Sequence, residues 1–213
     1  MRKIFCVIAA VFVLLPLAAQ DFNPAAGPLE GVWKSEDEDE AEVIIFVGNL
    51  ILVKDDWDDS YEVLPGMIYK NGEALGPVVE TDFGGYEDYE TLFSYKLSGN
   101  TLKIIAEDDD EESYVKAPDD ILRNKSRLEG IWAFSYQNPY NSEEAGELLW
   151  IFTGGLIIAA MKTDSSFQYA EAIEFTSTDA TITAMDDTIS YTLSGNELTL
   201  TDGDETLVFT RRR

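Results

Sequence analysis

The chain states one pattern twice, and that repetition limits its possible folds more than any other feature. Leu29-Glu30-Gly31-Val32-Trp33 returns as Leu128-Glu129-Gly130-Ile131-Trp132. Tyr95-Lys96-Leu97-Ser98-Gly99-Asn100-Thr101-Leu102 returns as Tyr191-Thr192-Leu193-Ser194-Gly195-Asn196-Glu197-Leu198. Between these, Val43–Leu52 matches Leu149–Ile158. Blocks that recur in the same order mark two copies of one folding unit. The offset between copies is 99 at the Trp block, 106 at the middle block and 96 at the last. The second copy therefore carries extra residues within 135–147, and the first within 54–92. Such insertions between blocks are what surface loops tolerate.

Each middle block is an apolar, β-prone run, then Gly48-Asn49 or Gly154-Gly155, then a second such run. That is a tight-hairpin signal, because primed turns need positive φ at their central residues. Gly99-Asn100 and Gly195-Asn196 give each unit a second hairpin, and the residues around them alternate apolar and polar with period two. The strands expected in the first unit are 30–36, 42–48, 50–57, 61–70, 75–81, 89–97, 101–107 and 112–117. Those in the second are 129–136, 146–153, 156–163, 167–176, 179–185, 188–193, 197–201 and 206–211. The reading is all-β: two tandem antiparallel up-and-down meanders of eight strands. Closing each into a barrel removes the exposed edges of an open sheet.

The domain plan is a signal peptide at 1–19, an N-terminal arm at 20–28, a first barrel at 29–117, a linker at 118–127 and a second barrel at 128–213. Arg2 and Lys3 precede an apolar run, and Leu17-Ala18-Ala19 offers a small-residue cleavage site, which reads as an export leader. The protein is thus expected to be exported, to the periplasm or the extracellular space, with no stable membrane insertion once the leader is removed. Processing takes the net charge from −26 to −28 by removing two cations. Nucleic acid is excluded as a partner, since phosphate binding needs clustered Lys and Arg, and cationic partners are favoured. The chain has no His, and Cys6, its one cysteine, lies in the leader. Disulfides, Cys/His zinc sites and His-activated nucleophiles are excluded in the processed chain. Within the linker, Pro118 stops the last strand of the first unit, and Asp119-Asp120 then reads as a cap for one or two helical turns through Arg127.

With Gly31-x-Trp33 and Gly130-x-Trp132 on first strands, each leading an antiparallel meander, both units resemble the lipocalin-like (calycin) barrels, especially small bacterial ones. The resemblance spans roughly residues 29–213. It implies that each Trp closes one barrel end beneath a basic side chain from the last strand. Those pairs are Trp33 with Lys116 and Trp132 with Arg211. It also implies binding of a small apolar ligand or a protein partner, without cofactor or metal. Each unit is short and lacks a disulfide, which departs from longer lipocalins.

The acidic runs Glu36–Glu40, Asp55–Asp59 and Glu107–Glu112 sit at strand ends. They lack the Gly and Glu positions of an EF-hand loop and read as solvated turns. Carboxylate pairs abound, but with 41 acids they occur by accident, so no catalytic pair is assigned and the protein is read as non-enzymatic. Aromatics within the first unit's extra segment are the candidate binding set. Trp57, Phe83, Tyr86 and Tyr89 are assigned to a ligand- or partner-binding surface, and Tyr61 and Tyr69 to the core. A continuous lumen would favour a ligand, and a filled core would favour a protein partner. The alternative function is an acidic envelope interaction module, or a protease-inhibitor-like protein, without a small-molecule ligand.

Overall fold

The computed structural model describes residues 27–37, 43–54, 60–64, 68–77, 89–105, 111–118, 121–137, 145–163 and 167–212. The expected leader (1–19), most of the N-terminal arm, and Trp57, Phe83 and Tyr86 lie outside the described residues. The described chain is all-β and antiparallel, with one short 3-10 turn at Ile121–Arg123. It divides into two compact units, one built on Ile121–Arg213 and the other on Leu17–Asp56 with Tyr61–Asp120.

In the first unit the strands are β1 (Gly31–Ser35), β2 (Val43–Val47), β3 (Leu50–Lys54), β4 (Ser60–Leu64), β5 (Ile68–Lys70), β6 (Glu73–Pro77), β7 (Tyr89–Ser98), β8 (Thr101–Ile105) and β9 (Glu111–Lys116). Successive strands form antiparallel ladders, among them β2 with β3, β6 with β7 and β8 with β9. The first strand pairs with both the second and the last: Trp33 lies opposite Ile44 on β2 and opposite Lys116 on β9. Among the described residues nine strands stand where eight are expected: the run 61–70 comprises β4 and β5, and β6 begins at Glu73, after a hairpin turn in which Asn71 and Gly72 both take positive φ (56° and 82°). This hairpin lies within the first unit's extra segment.

The second unit repeats the plan with β10 (Gly130–Gln137), β11 (Ala145–Thr153), β12 (Leu156–Thr163), β13 (Phe167–Glu174), β14 (Thr176–Ser177), β15 (Thr181–Ala184), β16 (Asp187–Ser194), β17 (Glu197–Asp202) and β18 (Glu205–Arg211). Here too the first strand pairs with the second and the last, with Trp132 opposite Trp150 and Arg211. The expected strand 167–176 is interrupted at Phe175, whose N–H donates to Gly155 O (2.8 Å). In the expected linker helix the described residues form a single 3-10 turn, Ile121–Arg123. A Cβ on Gly154 would overlap the Leu122 backbone, and Gly155 N–H donates to Ile121 O (2.9 Å). The segment after Asp120 is thus packed against the β11–β12 turn and belongs to the second unit.

The strands form because their side chains alternate. In β16, Ile189 and Tyr191 are buried while Thr188, Ser190 and Thr192 are exposed, the period-two pattern of a half-buried strand. The β2–β3 and β11–β12 hairpins are instead apolar at successive positions and are buried on both faces. Five hairpin turns put Gly first with φ near +60°: Gly48, Gly99, Gly154, Gly195 and Gly203. Positive φ at that position is the requirement of a II′ turn, which Gly meets without a Cβ penalty.

The two cores are separately built. The first gathers Leu29, Trp33, Ile44, Phe46, Ile51, Leu102 and Tyr114. The second is aromatic: the Trp150 and Phe209 rings meet at a 37° tilt (centroids 5.2 Å apart), and Phe152 meets Phe175 edge-on (5.3 Å).

Candidate functional site

Each unit has two unlike ends, and the repeated Leu-Glu-Gly-x-Trp motif builds one of them. A turn precedes the motif in both copies, with Glu30 N–H donating to Gly27 O and Glu129 N–H to Ser126 O. Leu29 and Leu128 are fully buried, and their carbonyls accept the indole N–H of Trp33 (2.8 Å) and Trp132 (2.6 Å). Gly31 and Gly130 hold φ of 130° and 121°, a backbone region that an L side chain rarely adopts. That conformation turns the indole of the residue two places on into the core, where the two Trp side chains are 1% and 0% exposed.

The strand-end cations cover these indoles. Lys116 Nζ lies 5.4 Å from the Trp33 ring centroid and donates to Glu30 O (2.9 Å). Arg211 Cζ lies 4.5 Å from the Trp132 ring, and Arg211 Nη2 donates to Arg127 O (3.4 Å). The backbone repeats as well: Ala117 N–H donates to Val32 O and Arg212 N–H to Ile131 O, both at 2.8 Å. The four residues Trp33, Lys116, Trp132 and Arg211 are thereby brought together as two pairs.

The sequence alone did not single out the Glu of the motif. Glu30 Oε2 accepts the N–H of Gly48 (3.1 Å), and Glu129 accepts the N–H of Gly154 and of Ser126. Each Glu therefore pins the first hairpin turn to the plugged end. Burial pushes the Glu129 carboxyl above the usual carboxylate range, with the hydrogen bonds from Ser126 and Gly154 and the nearby Lys125 pulling the other way. The signal was the repeat itself, since Glu recurs in both copies.

The opposite end of each unit is acidic. In the first unit, four connections leave from the end away from Trp33: 36–42, 55–59, 78–88 and 106–110. Together they carry eighteen Asp and Glu and no Lys or Arg. The three acidic runs and Trp57, Phe83 and Tyr86 fall on these connections in the sequence, and Trp57, Phe83, Tyr86 and most of the runs lie outside the described residues. Tyr89, the first residue of β7, lies opposite Pro77 at the same end. At its border Lys103 bonds Glu111 and holds that carboxyl below the usual range. Of the two aromatics assigned to the core, Tyr61 is 3% exposed, and Tyr69 stands on β5 opposite Ala74. Among the described residues, no group of three or more Asp, Glu, Cys or His is placed to hold a metal ion.

In the second unit, Asp186, Asp187, Asp202, Asp204 and Glu205 lie at the turns away from Trp132, and Glu147 near the top of β11. Lys162 and Arg212, whose guanidinium pairs with Glu147, are the cations on that side among the described residues. No family model matches the chain, and no curated protein or solved structure matches it either.

Proposed function

We propose that this chain is an exported, non-enzymatic binding protein made of two lipocalin-like barrels, which holds a cationic protein partner at the acidic end of its first unit. Pairing of the first strand with the last in each unit supports barrel closure. The Trp–cation plug supports the lipocalin likeness. The observation that carries the binding reading is topological. The strand ends that border 36–42, 55–59, 78–88 and 106–110 share one side, with Tyr89 at its edge, while the other end is plugged; in the sequence those stretches carry eighteen acids and Trp57, Phe83 and Tyr86. Aromatic anchors ringed by charge are the usual makings of a protein-binding hot spot, and clustered carboxylates steer a basic partner toward them.

A small apolar ligand is the second reading, expected in the first unit because that unit carries the longer extra segment; burial does not separate the two cores, since Trp33, Phe46 and Tyr114 are each 1% exposed and Trp150, Phe152 and Phe209 are 6%, 1% and 0% exposed. The acidic-module reading needs no lumen at all and shares the same surface. Native mass spectrometry of protein isolated from its own host separates these readings. A copurified basic protein that dissociates at high salt, and is lost in Trp57→Ala, is the expected result. A copurified lipid retained at high salt would replace the protein-partner reading with the ligand reading, and a bare chain would reject both.

A further inference from the structure

Beyond residue 6 the chain holds no Cys, and its sulfur is confined to Met67, Met161 and Met185. Met67 lies outside the described residues. Met161, on β12, is partly buried, and its Sδ accepts a hydrogen bond from the Tyr136 hydroxyl (2.6 Å). Met185 is the opposite case. It stands at the tip of the β15–β16 hairpin, at the end of the unit away from Trp132, and is 39% exposed. The turn it occupies is strained. Met185 and Asp186 take φ of 48° and 65°, the left-handed region that Gly, Asn and Asp adopt most readily. Ala184 pairs with Asp187 and Thr183 with Thr188, and the two Thr hydroxyls are hydrogen-bonded (2.9 Å), so the ladder holds the turn closed. A rigid hairpin thus presents to solvent a thioether that turn chemistry does not call for. A backbone outlier of this kind is grounds for seeking a function at the residue that bears it.

We propose that Met185 is a site of reversible oxidation to methionine sulfoxide by hydrogen peroxide. A sulfur lone pair forms the S–O bond as the peroxide O–O bond breaks. Sulfur is oxidised by two electrons, and the peroxide, reduced by the same two, leaves as water once its proton moves to the departing oxygen. The product carries a polar S=O group in place of an apolar tip. A dithiol-dependent sulfoxide reductase reverses the change, its thiols supplying two electrons and two protons while the oxygen leaves as water. Access selects this residue over Met161, whose sulfur is partly covered and engaged by the Tyr136 hydroxyl. No thiolate beyond residue 6 competes for the oxidant. Charge selects the oxidant itself. Asp186 and Asp187 follow the thioether directly, so an anionic oxidant is repelled and neutral hydrogen peroxide is not. Because the side chain is exposed, oxidation changes the surface without unpacking the core. The inference goes beyond the binding function proposed above and does not rest on it.

The test exposes the full chain to hydrogen peroxide and follows each Met by peptide mass spectrometry. Met185 is expected to gain oxygen several-fold faster than Met161, and before Met67. Tyr136→Phe, which frees the Met161 sulfur, should speed oxidation of Met161 and leave that of Met185 unchanged. With peroxymonosulfate, an anion, the Met185 rate should rise with added salt, whereas the rate with hydrogen peroxide should not. The oxidised chain should keep its far-UV spectrum and its urea midpoint. A methionine sulfoxide reductase with dithiothreitol should then restore Met185 in the folded chain. Met185→Asn, which suits the turn, should raise the urea midpoint. Oxidation of Met67 or Met161 ahead of Met185 overturns the proposal, as does an equal response of the two oxidants to salt. So does a urea midpoint that falls when Met185 is oxidised, or a sulfoxide reduced only after unfolding, since either marks damage rather than a reversible surface change. A Met185→Asn midpoint below that of the parent chain removes the strain argument and the proposal with it.

Discussion

Replacing the cation over each plug Trp should have unequal consequences in the two units, despite their shared geometry. Arg211 gains a cation–π contact with Trp132 worth about 0.5–2 kcal/mol, the 4.5 Å approach favouring the upper part of that range. Its other bond, Nη2 to Arg127 O, is long at 3.4 Å, and its Nε is buried with no partner among the described residues. A buried orphan donor costs roughly 1–3 kcal/mol, which offsets the ring contact. Arg211→Met keeps the aliphatic stem over the indole and removes both terms, so its net effect should lie within about 1 kcal/mol of zero. Lys116 also lies over its Trp, at 5.4 Å, but donates a well-formed 2.9 Å bond to Glu30 O. A hydrogen bond from a charged group contributes about 1.5–3 kcal/mol, so Lys116→Met should cost more than Arg211→Met although the Arg stacks more closely. Urea unfolding followed by circular dichroism gives both differences. A double-mutant cycle of Arg211→Met with Trp132→Leu should then return a coupling of about 1 kcal/mol. Additive effects in that cycle, or an Arg211→Met variant less stable than Lys116→Met, would refute the assignment of energies to these contacts.

Three further outcomes follow from the plugged ends. Glu129 titrates above its unfolded value, so the fold binds its proton more tightly than the unfolded chain does. Its contribution is present below the unfolded carboxylate range and is lost as pH rises through the raised folded value. Glu129→Gln, which keeps an acceptor for Gly154 N–H, should accordingly stabilise the protein at neutral pH and bring no gain near pH 4; a constant difference across that window in pH-dependent unfolding rejects the argument. Gly154→Ala and Gly195→Ala impose similar backbone strain, at φ of 59° and 62°, but only the former meets Leu122, while the latter opens on empty space. Gly195→Ala should cost about 1–2 kcal/mol and Gly154→Ala clearly more; equal melting temperatures would contradict the close approach. A fragment of residues 119–213 should fold, and one of residues 128–213 should be less stable, because the latter lacks the Ile121–Leu122 turn against Gly154-Gly155; equal urea midpoints would return that turn to the role of a linker.

The hairpins are legible because Gly followed by Asn or Gly between apolar runs has few other uses. Asn71-Gly72 lies in the gap that the sequence reading leaves between strands 61–70 and 75–81, and the ladder of Ile68 with Leu75 shows that gap to be a tight hairpin turn. Met185-Asp186 is different. Both residues take positive φ, 48° and 65°, with no Gly between them, so the turn is held by the flanking β15–β16 ladder rather than by residue type. The plug pairs are legible from the spacing of Gly-x-Trp and from a basic residue near the end of each last strand. The role of Glu30 and Glu129 is not, because a carboxylate that pins a turn some eighteen or more residues away looks like any of the 41 acids in the chain. Nor does sequence alone show that all the first unit's acidic runs leave from one end. That depends on strand direction: five strands, β4 to β8, separate the second run from the third, and the bordering strand ends share one side only because β5 runs in the same direction as β4, which the ladders reveal.

What the two copies share and what they do not share fall at different ends of the fold. The Leu-Glu-Gly-x-Trp motif, the Gly48 and Gly154 turns it pins, and the Gly-Asn turns beside Lys116 and Arg211 all belong to the plugged ends. Each has a physical reason to be repeated: a carbonyl for an indole, a carboxylate for a turn N–H, a Gly for a φ that other residues rarely adopt. The acidic ends differ between copies in length and in composition. In the sequence, eighteen acids and three aromatics fall between the strands of the first unit, whereas the second has the short turns at Met185-Asp186 and Gly203-Asp204. A plug constrained by backbone geometry leaves the other end free to vary without loss of the fold, which is the arrangement that places binding on loops carried by a rigid sheet. The two acidic ends are therefore expected to differ in partner side chains while sharing a demand for positive charge. Swapping residues 78–88 into the 138–144 connection should transfer salt-sensitive partner binding without changing stability by more than about 0.5 kcal/mol. Loss of folding on that exchange would show that the connections, and not the plugs, hold the units together.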